Sequence, residues 1–164
     1  MKTAALTVAI ALASVVSAEA KVIPTTSQDH TCLAKAIYYE AGSEPIAGLY
    51  AVGHVVMNRS RSGLYPKAIC DVVYQRSYKN RGCQFGWTCR KHAQPKGPNW
   101  ARSQQVATTI LSGTSADNTS GALRFDSKRK NFASSGYQRT ATIGGHSFWK
   151  PKQRVVANRQ GDRK

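Results

Sequence analysis

A chain of 164 residues is long enough for one folded domain with a hydrophobic core and too short for two independent domains. Its formal net charge of +16 predicts association with anionic polymers such as cell-wall glycan with its acidic peptides, teichoic acid, lipopolysaccharide or nucleic acid. The sequence carries no nucleic-acid-binding motif, so we expect no nucleic-acid partner. We also expect a monomer.

The N-terminal segment has the three parts of a secretory signal. Lys2 supplies the positive charge, residues 3–18 are uncharged and rich in Ala, Val, Leu and Ile, and Ala18-Glu19-Ala20 is an A-x-A cleavage site. We therefore predict that residues 1–20 are a signal peptide and that the mature protein is secreted or periplasmic, at the cell wall. The alternative is that this segment stays in the membrane as an anchor.

The rest of the chain divides by composition into a linker, a domain and a tail. Residues 21–31 contain Pro24 and a Thr-Thr-Ser run, and they are predicted to form a linker. Residues 32–149 hold the periodic apolar patterns and are predicted to form the folded domain. Residues 150–164 are strongly basic and are predicted to be a flexible tail.

Apolar spacing at a helical period predicts two helices at the start of the domain. The first is capped by Ser27 or Asp29 and runs to about Ala41, where a glycine ends it. The second restarts at Pro45, a residue tolerated in a first helical turn. Its continuous apolar stripe predicts that it crosses the core, with Gly53 at a close contact between helices.

The second half of the domain predicts further helices and a small sheet. A short helix is expected within residues 67–75, and a longer one from Asn99, as its cap, to about Ser112. The segment between them has no sustained period. Residues 122–125 and 142–149 are β-like in composition and can pair. The fold class is therefore α+β, mainly helical with a small β-sheet.

Four cysteines remain after export, and an even number in an oxidising compartment predicts two disulfides. Three connectivities are possible. Cys83 and Cys89 are close enough to close a small loop, which leaves Cys32 to pair with Cys70. The chain has no CxxC or HExxH spacing, so we expect no metal and no other cofactor.

The apolar face of the first helix contains a carboxylate. Glu40 continues the i, i+3, i+4, i+7 spacing that begins at Leu33, so its side chain points toward the interior. Burial raises the pKa of a carboxyl, which suits the general acid of glycosidic-bond cleavage. The alternative is a helix-end carboxylate paired with a Lys or Arg. The other glutamate of the mature chain, Glu44, lies at a helix start and is expected to face the helix dipole.

Aromatic and amide side chains are the second chemical signal. The loop Gln84-Phe85-Gly86-Trp87 lies between two cysteines and offers rings on which sugar faces can stack. Amides such as Gln75 and Asn58 can bind sugar hydroxyls. His54 lies within the second helix and is expected to be packed rather than catalytic. The chain lacks the G-x-S-x-G motif of serine hydrolases.

Five sequence blocks resemble one known family. They are Ala36–Ala41 (AIYYEA), Ala51–Arg59 (AVGHVVMNR), Ile69–Gln75 (ICDVVYQ), Cys83–Cys89 (CQFGWTC) and Ile143–Trp149 (IGGHSFW). Their identity and order resemble the SleB/CwlJ-type cell-wall hydrolases, the spore-cortex-lytic enzyme family. The resemblance covers nearly the whole predicted domain.

The resemblance implies a lysozyme-like domain that cleaves peptidoglycan glycan strands between N-acetylmuramic acid and N-acetylglucosamine. It implies a lytic transglycosylase in which one glutamate, Glu40, acts first as acid and then as base and leaves a 1,6-anhydro product. The pattern and the resemblance together give a set of predicted substrate-binding residues. They are Tyr39, Glu44, Asn58, Tyr74, Gln75, Gln84, Phe85, Trp87 and His146.

Several alternatives stay open at this point. A hydrolytic, inverting muramidase needs a second carboxylate about 6.5–9.5 Å from the first, and Asp71 and Asp126 are the candidates. An N-acetylmuramoyl-L-alanine amidase would instead cut the peptide from the glycan. Either chemistry fits a phage endolysin. A basic wall-binding or antibacterial protein without enzymatic activity is the remaining class.

Overall fold

The structure is a computed structural model and describes residues 26–76, 82–129 and 133–152. The predicted signal peptide, the first residues of the predicted linker (21–25) and most of the predicted tail (153–164) lie outside the described residues. Within the described ranges, no helix is long and apolar enough to cross a membrane.

The first helix, α1 (Ser27–Ala41), begins inside the segment predicted to be a linker. Its N-cap is Thr26, whose hydroxyl accepts from the Asp29 N–H at 3.0 Å while the Asp29 carboxylate accepts from the Thr26 N–H at 3.1 Å. This reciprocal capping box fixes the helix start, so the predicted caps Ser27 and Asp29 are helical residues instead. Residues 27–31 are therefore helix rather than linker.

The second helix, α2 (Ile46–Arg61), lies at the centre of the domain, as predicted. One side packs on α1 and on α4 (Gly97–Leu111), and a side chain at Gly53 would collide with Ile110 and Ile37. The opposite side carries Val55, which packs against Phe148 of the sheet. The predicted close contact at Gly53 is confirmed, because a Cβ at this position would overlap the ends of the Ile110 and Ile37 side chains.

Two further helices complete the helical layer. The short helix α3 (Ile69–Val73) buries Ile69, Val72 and Val73, as its apolar pattern predicted. Helix α4 begins at Gly97, two residues before the predicted start, with Lys96 as its N-cap and a proline in its first turn. The prediction that Asn99 caps this helix is wrong. Proline is compatible with a first helical turn, so the helix starts upstream of Asn99.

The sheet has three strands, one more than predicted. Strands β1 (Arg124–Ser127), β2 (Tyr137–Ile143) and β3 (His146–Pro151) pair antiparallel in the order β1-β3-β2. The segment 142–149, predicted as a single strand, is split by a turn at Gly144, whose φ is +56°. The apolar pattern does not predict strand β2, because only one of its residues, Tyr137, is buried and its apolar alternation is weak.

Both predicted disulfides are present. Cys32–Cys70 joins α1 to α3, across a sequence separation of 38 residues. Cys83–Cys89 closes a small loop within the irregular segment between α3 and α4, and a short 3-10 turn (Gly86–Cys89) forms the second half of this small loop. Residues of the sheet and of this loop line one cavity together with the C-terminal end of α1, and this arrangement positions the site.

Candidate active site

An open cavity of about 1030 Å³ lies where the end of α1, the second half of α2, the disulfide-closed loop and strand β1 meet. Ring and polar side chains from these elements, from the end of α3 and from β2 and β3 form its walls. Those that bear on the chemistry are Glu40, Arg59, Gln75, Gln84, Phe85, Asp126 and His146.

Glu40 lies in the last turn of α1 and faces this cavity, while Leu33 on the same helix face is fully buried. Burial raises the pKa of the Glu40 carboxyl. The positive charge of Arg59 opposes this shift, and the negative charge of Asp126 adds to it. Glu40 is thus a carboxyl with an increased preference for its protonated form at the edge of an open cavity, which is what a general acid requires.

The Trp87 ring adjoins Glu40. The indole side chain lowers the pKa of Glu40, although its N–H makes no hydrogen bond of good geometry and is buried. Trp87 stacks on Tyr39 with ring centroids 4.5 Å apart and meets Tyr74 edge-on at 5.9 Å. The Tyr39 hydroxyl donates to the Ala93 carbonyl oxygen at 2.6 Å. These three predicted substrate-binding rings therefore form one aromatic row beside Glu40.

Arg59 brings a buried positive charge to the same cavity. Its side chain is 2% exposed, its Nε donates to the Leu123 carbonyl oxygen at 2.8 Å, and its guanidinium lies 5.2 Å from the ring centroids of Tyr65 and Phe85. Its Nη1 is buried without a hydrogen-bond partner among the described residues. The charge is therefore held in a fixed place with one donor group unused.

Two further lining residues have buried polar atoms without a hydrogen-bond partner in the described part of the chain. They are the Oε1 of Gln75 and the Nδ1 of His146. Buried polar groups normally have partners, because leaving one unpaired costs about 1–3 kcal/mol. The residues that carry these atoms line the cavity beside Phe85 and Phe125, and amide, guanidinium and ring side chains of this kind suit a ligand rich in hydroxyls and amides.

Glu44 contacts the β2–β3 turn rather than the cavity wall. Its Oε2 accepts from the Gly145 N–H at 2.7 Å, and its Oε1 lies 4.0 Å from the His146 Nδ1. It makes no capping hydrogen bond to α2, whose N-cap is Pro45. Glu44 anchors the turn that carries His146 into the cavity.

The two candidate second carboxylates occupy different places. Asp126 on β1 lines the cavity and acts on the pKa of Glu40. Asp71 is exposed on α3 and does not line the cavity. Among the carboxylates of the described ranges, only Asp126 lines this cavity together with Glu40, so it is the candidate for a reaction that needs two carboxylates.

A comparison with known families identifies the chain. Residues 43–149, well over half of its length, match the model of the Cell Wall Hydrolase family. The chain belongs to the cell wall hydrolase family. The matched segment begins just after Glu40 and includes α2, the disulfide-closed loop and the whole of β1 and β2.

Three known proteins are similar to this chain in sequence or in fold. The spore cortex-lytic enzyme of Bacillus subtilis (strain 168) is 36% identical over 50 residues, which are 30% of this chain and 16% of that enzyme. The chain thus aligns with less than a fifth of that relative. The structure resembles the catalytic domain of the Bacillus cereus SleB protein, with a TM-score of 0.58 and 22% identity over 82% of this chain and all of that domain. It also resembles the catalytic domain of the germination-specific lytic transglycosylase SleB from Bacillus anthracis, with a TM-score of 0.60 and 22% identity over 78% of this chain and all of that domain. The hydrolase therefore has the fold of a SleB catalytic domain.

Among the predicted substrate-binding residues, four line the cavity of this hydrolase: Gln75, Gln84, Phe85 and His146. Asn58 does not. Its amide donates to the Asp117 carboxylate at 2.9 Å and to the Ala122 carbonyl oxygen at 3.1 Å. Asp117 also accepts from the Gly121 N–H at 2.8 Å, so Asn58 holds the segment that leads into β1.

His54 is 4% exposed and its Nε2 lies 3.1 Å from the Ser115 hydroxyl. Burial lowers its pKa. It is a packed histidine outside the cavity, as its position in the apolar stripe of α2 predicted. Within the part of the chain that the structure describes, no group of three or more His, Cys, Asp or Glu side chains is arranged to hold a metal ion.

Arg59 is a cavity residue of the hydrolase that the sequence analysis did not single out. It follows Val52 and Val56 at the i, i+4, i+7 spacing of a buried helix face. The same spacing argument that singled out Glu40 in α1 singles out Arg59 in α2. A charged residue in a buried stripe is the signal in both cases.

Proposed function

We propose that this cell wall hydrolase is an exported, monomeric lytic transglycosylase that cleaves the β-1,4 bond between N-acetylmuramic acid and N-acetylglucosamine in peptidoglycan. The observation that carries the proposal is the Glu40 carboxyl, whose pKa is raised by burial and which faces an open cavity lined by polar and aromatic side chains. The family assignment, the aromatic row beside Glu40 and the net charge of +16 support a polymeric, anionic envelope substrate.

In the proposed reaction, Glu40 serves in both proton transfers. Protonated Glu40 gives its proton to the glycosidic oxygen as the bond from that oxygen to C1 of the muramic residue breaks. The resulting carboxylate then takes the proton of the muramic 6-hydroxyl while that oxygen bonds to C1. The product is a 1,6-anhydromuramyl end, no water is consumed, and Glu40 returns to its protonated form.

Hydrolysis by a muramidase is the second candidate, and Asp126 favours it. Asp126 lines the same cavity and acts electrostatically on Glu40. In that reaction Glu40 is the acid, and Asp126 activates a water molecule that attacks C1. The two reactions give products that differ by the mass of one water molecule.

The test uses purified peptidoglycan sacculi and mass spectrometry of the released fragments. Wild-type protein is expected to release anhydro-muropeptides, and Glu40→Gln is expected to release none while remaining folded. Asp71→Asn is the matched control, because it removes an exposed carboxylate outside the cavity. Unchanged lysis by Glu40→Gln overturns the role of Glu40. Products heavier by one water establish hydrolysis, and free peptides with intact glycan establish an amidase.

The same experiment separates an enzyme from a basic protein that acts by charge. A charge-driven wall binder keeps its effect in Glu40→Gln and loses it in high salt, because salt screens exposed charges. The proposed export, with residues 1–20 as a signal peptide, predicts a mature chain that begins at Lys21. Its net charge stays +16, since one base and one acid are removed. The intact mass of the protein recovered outside the cytoplasm checks this cleavage.

A further inference from the structure

Arg59 is a buried charge without a matching buried acid. It is 2% exposed, and none of the carboxylates that the structure describes forms an ion pair with it. Buried charges are normally paired, because removing a charge from water carries a cost of several kcal/mol. A guanidinium kept in this position indicates a role beyond packing.

The surroundings of Arg59 fix the guanidinium in place. The Nε bond to the Leu123 carbonyl oxygen holds one edge, and the rings of Tyr65 and Phe85 lie close to the guanidinium carbon. Nη1 has no partner among the described residues, and the side chain forms part of the wall that also contains Glu40. The positive charge therefore needs no rearrangement to act on Glu40.

We infer that Arg59 is a positioning residue for the proposed reaction. Its buried guanidinium stabilises the Glu40 carboxylate that forms when the proton moves to the glycosidic oxygen. The inference rests on the proposed function. Before proton transfer Glu40 is neutral and gains little from Arg59. In the transition state Glu40 becomes negative, so the interaction strengthens where it lowers the barrier.

Other charged and titratable groups line the cavity that contains Arg59 and Glu40. From β1, Asp126 opposes Arg59 by raising the pKa of Glu40, and Arg124 also lines the cavity. His146 from β3, Tyr137 from β2 and Tyr65 after α2 are further titratable residues of the wall. Arg76 lines the cavity from an exposed position, where solvent screens its charge. Arg59 is the group that combines a permanent charge with full burial, and its charge acts on Glu40 in the direction that favours proton release.

The test measures the proton affinity of Glu40 directly in the full chain. The sequence contains three glutamates, Glu19, Glu40 and Glu44, so selective ¹³C labelling of glutamate gives three carboxyl signals that single substitutions assign. In Arg59→Met the titration midpoint of Glu40 is expected to rise by about one pH unit or more, since an opposite charge nearby lowers a carboxyl pKa by about 1–3 units. Arg59→Lys keeps the charge and is expected to leave the midpoint within a few tenths of a unit. The Glu44 signal is the internal control and should be unaffected.

Arg59→Gln, which keeps an N–H donor for the Leu123 carbonyl, replaces Arg59→Met if that variant does not fold. A folded charge-removing variant with an unmoved Glu40 midpoint overturns the inference. The pH–rate profile provides the catalytic readout. Loss of the charge should move the alkaline limb to higher pH and lower the maximal rate about tenfold or more, whereas a merely structural role lowers the rate without moving the limb.

The two proposals fail in different ways. If Glu40→Gln abolishes lysis but the Arg59 variants leave the midpoint and the limb unmoved, the inference about Arg59 is wrong and the proposed function stands. If Glu40→Gln keeps full lysis, the proposed function is wrong whatever the carboxyl titration shows, and the catalytic role of Arg59 is wrong with it.

Discussion

The two disulfides should contribute differently to stability and to activity. In the Cys32→Ala/Cys70→Ala variant, the lost bridge spans 38 residues and joins α1 to α3. In Cys83→Ala/Cys89→Ala, the lost bridge spans 6 residues within one loop. Loop-closure entropy predicts a loss of about 4 kcal/mol for the long bridge and about 2 kcal/mol for the short one. The first variant should therefore lose more of its free energy of unfolding.

The order is expected to reverse for activity. The short bridge constrains the loop that brings Gln84 and Phe85 to the cavity wall and Trp87 to Glu40. Misplacing such groups by about 1 Å can cost about 100-fold in rate. The Cys83→Ala/Cys89→Ala variant should therefore lose about 10- to 100-fold of its muropeptide release. The Cys32→Ala/Cys70→Ala variant, assayed at a temperature where it is folded, should retain most of it.

Urea unfolding followed by circular dichroism gives the free energies, and product release from purified sacculi gives the rates. Both variants are compared with wild-type protein at a temperature well below each midpoint. The reasoning is refuted if removal of the short bridge costs more stability than removal of the long one. It is also refuted if the variant without Cys83–Cys89 digests sacculi at the wild-type rate.

Two further predictions concern the glutamates. Burial raises the pKa of Glu40 above its ordinary value of 4.5, so ionisation of this group destabilises the folded state as the pH rises from that value through the folded pKa. Glu40→Gln should therefore raise the free energy of unfolding at neutral pH, by about 1.4 kcal/mol for each unit by which the Glu40 pKa is raised, and should give no such gain below pH 4. Thermal unfolding between pH 3 and pH 8 checks this. A variant that is less stable than wild type at neutral pH contradicts it. Glu44→Ala leaves the Gly145 N–H without its acceptor and should cost about 1–2 kcal/mol and raise the KM, because it frees the turn that carries His146. Asp71→Ala is the control in the same unfolding and kinetic assays, and equal effects of the two substitutions would rule out the proposed anchoring role.

The local pattern of the sequence was enough to find most helices and the central acid. Apolar residues at a helical period predict α1 and α2, because a helix packed on one side must bury one face. The same pattern shows Glu40 as a carboxylate on a buried face, and the glycine at position 53 as a close helix contact. Spacing in the chain also gave the Cys83–Cys89 pair, since a short loop brings its two ends together.

The ends of helices and strands were harder to predict from the sequence than the helices themselves. The start of α1 depends on a reciprocal pair of hydrogen bonds between Thr26 and Asp29, and several capping residues were available nearby. Strand β2 buries only one residue, Tyr137, and is held by its hydrogen bonds to β3. A strand stabilised by backbone pairing to a neighbour carries little signal in its own residues.

By itself the sequence determined a basic, mainly helical α+β domain with two disulfides and one buried glutamate, because these features depend on residues close in the chain or on composition. Tertiary structure decided the chemistry around that glutamate. It brings Arg59 from α2 and Asp126 from β1 to the cavity of Glu40, and it joins Glu44 to Gly145 across 101 residues. The pKa of a carboxyl depends on its burial and on the charges near it in space, and chain folding sets both.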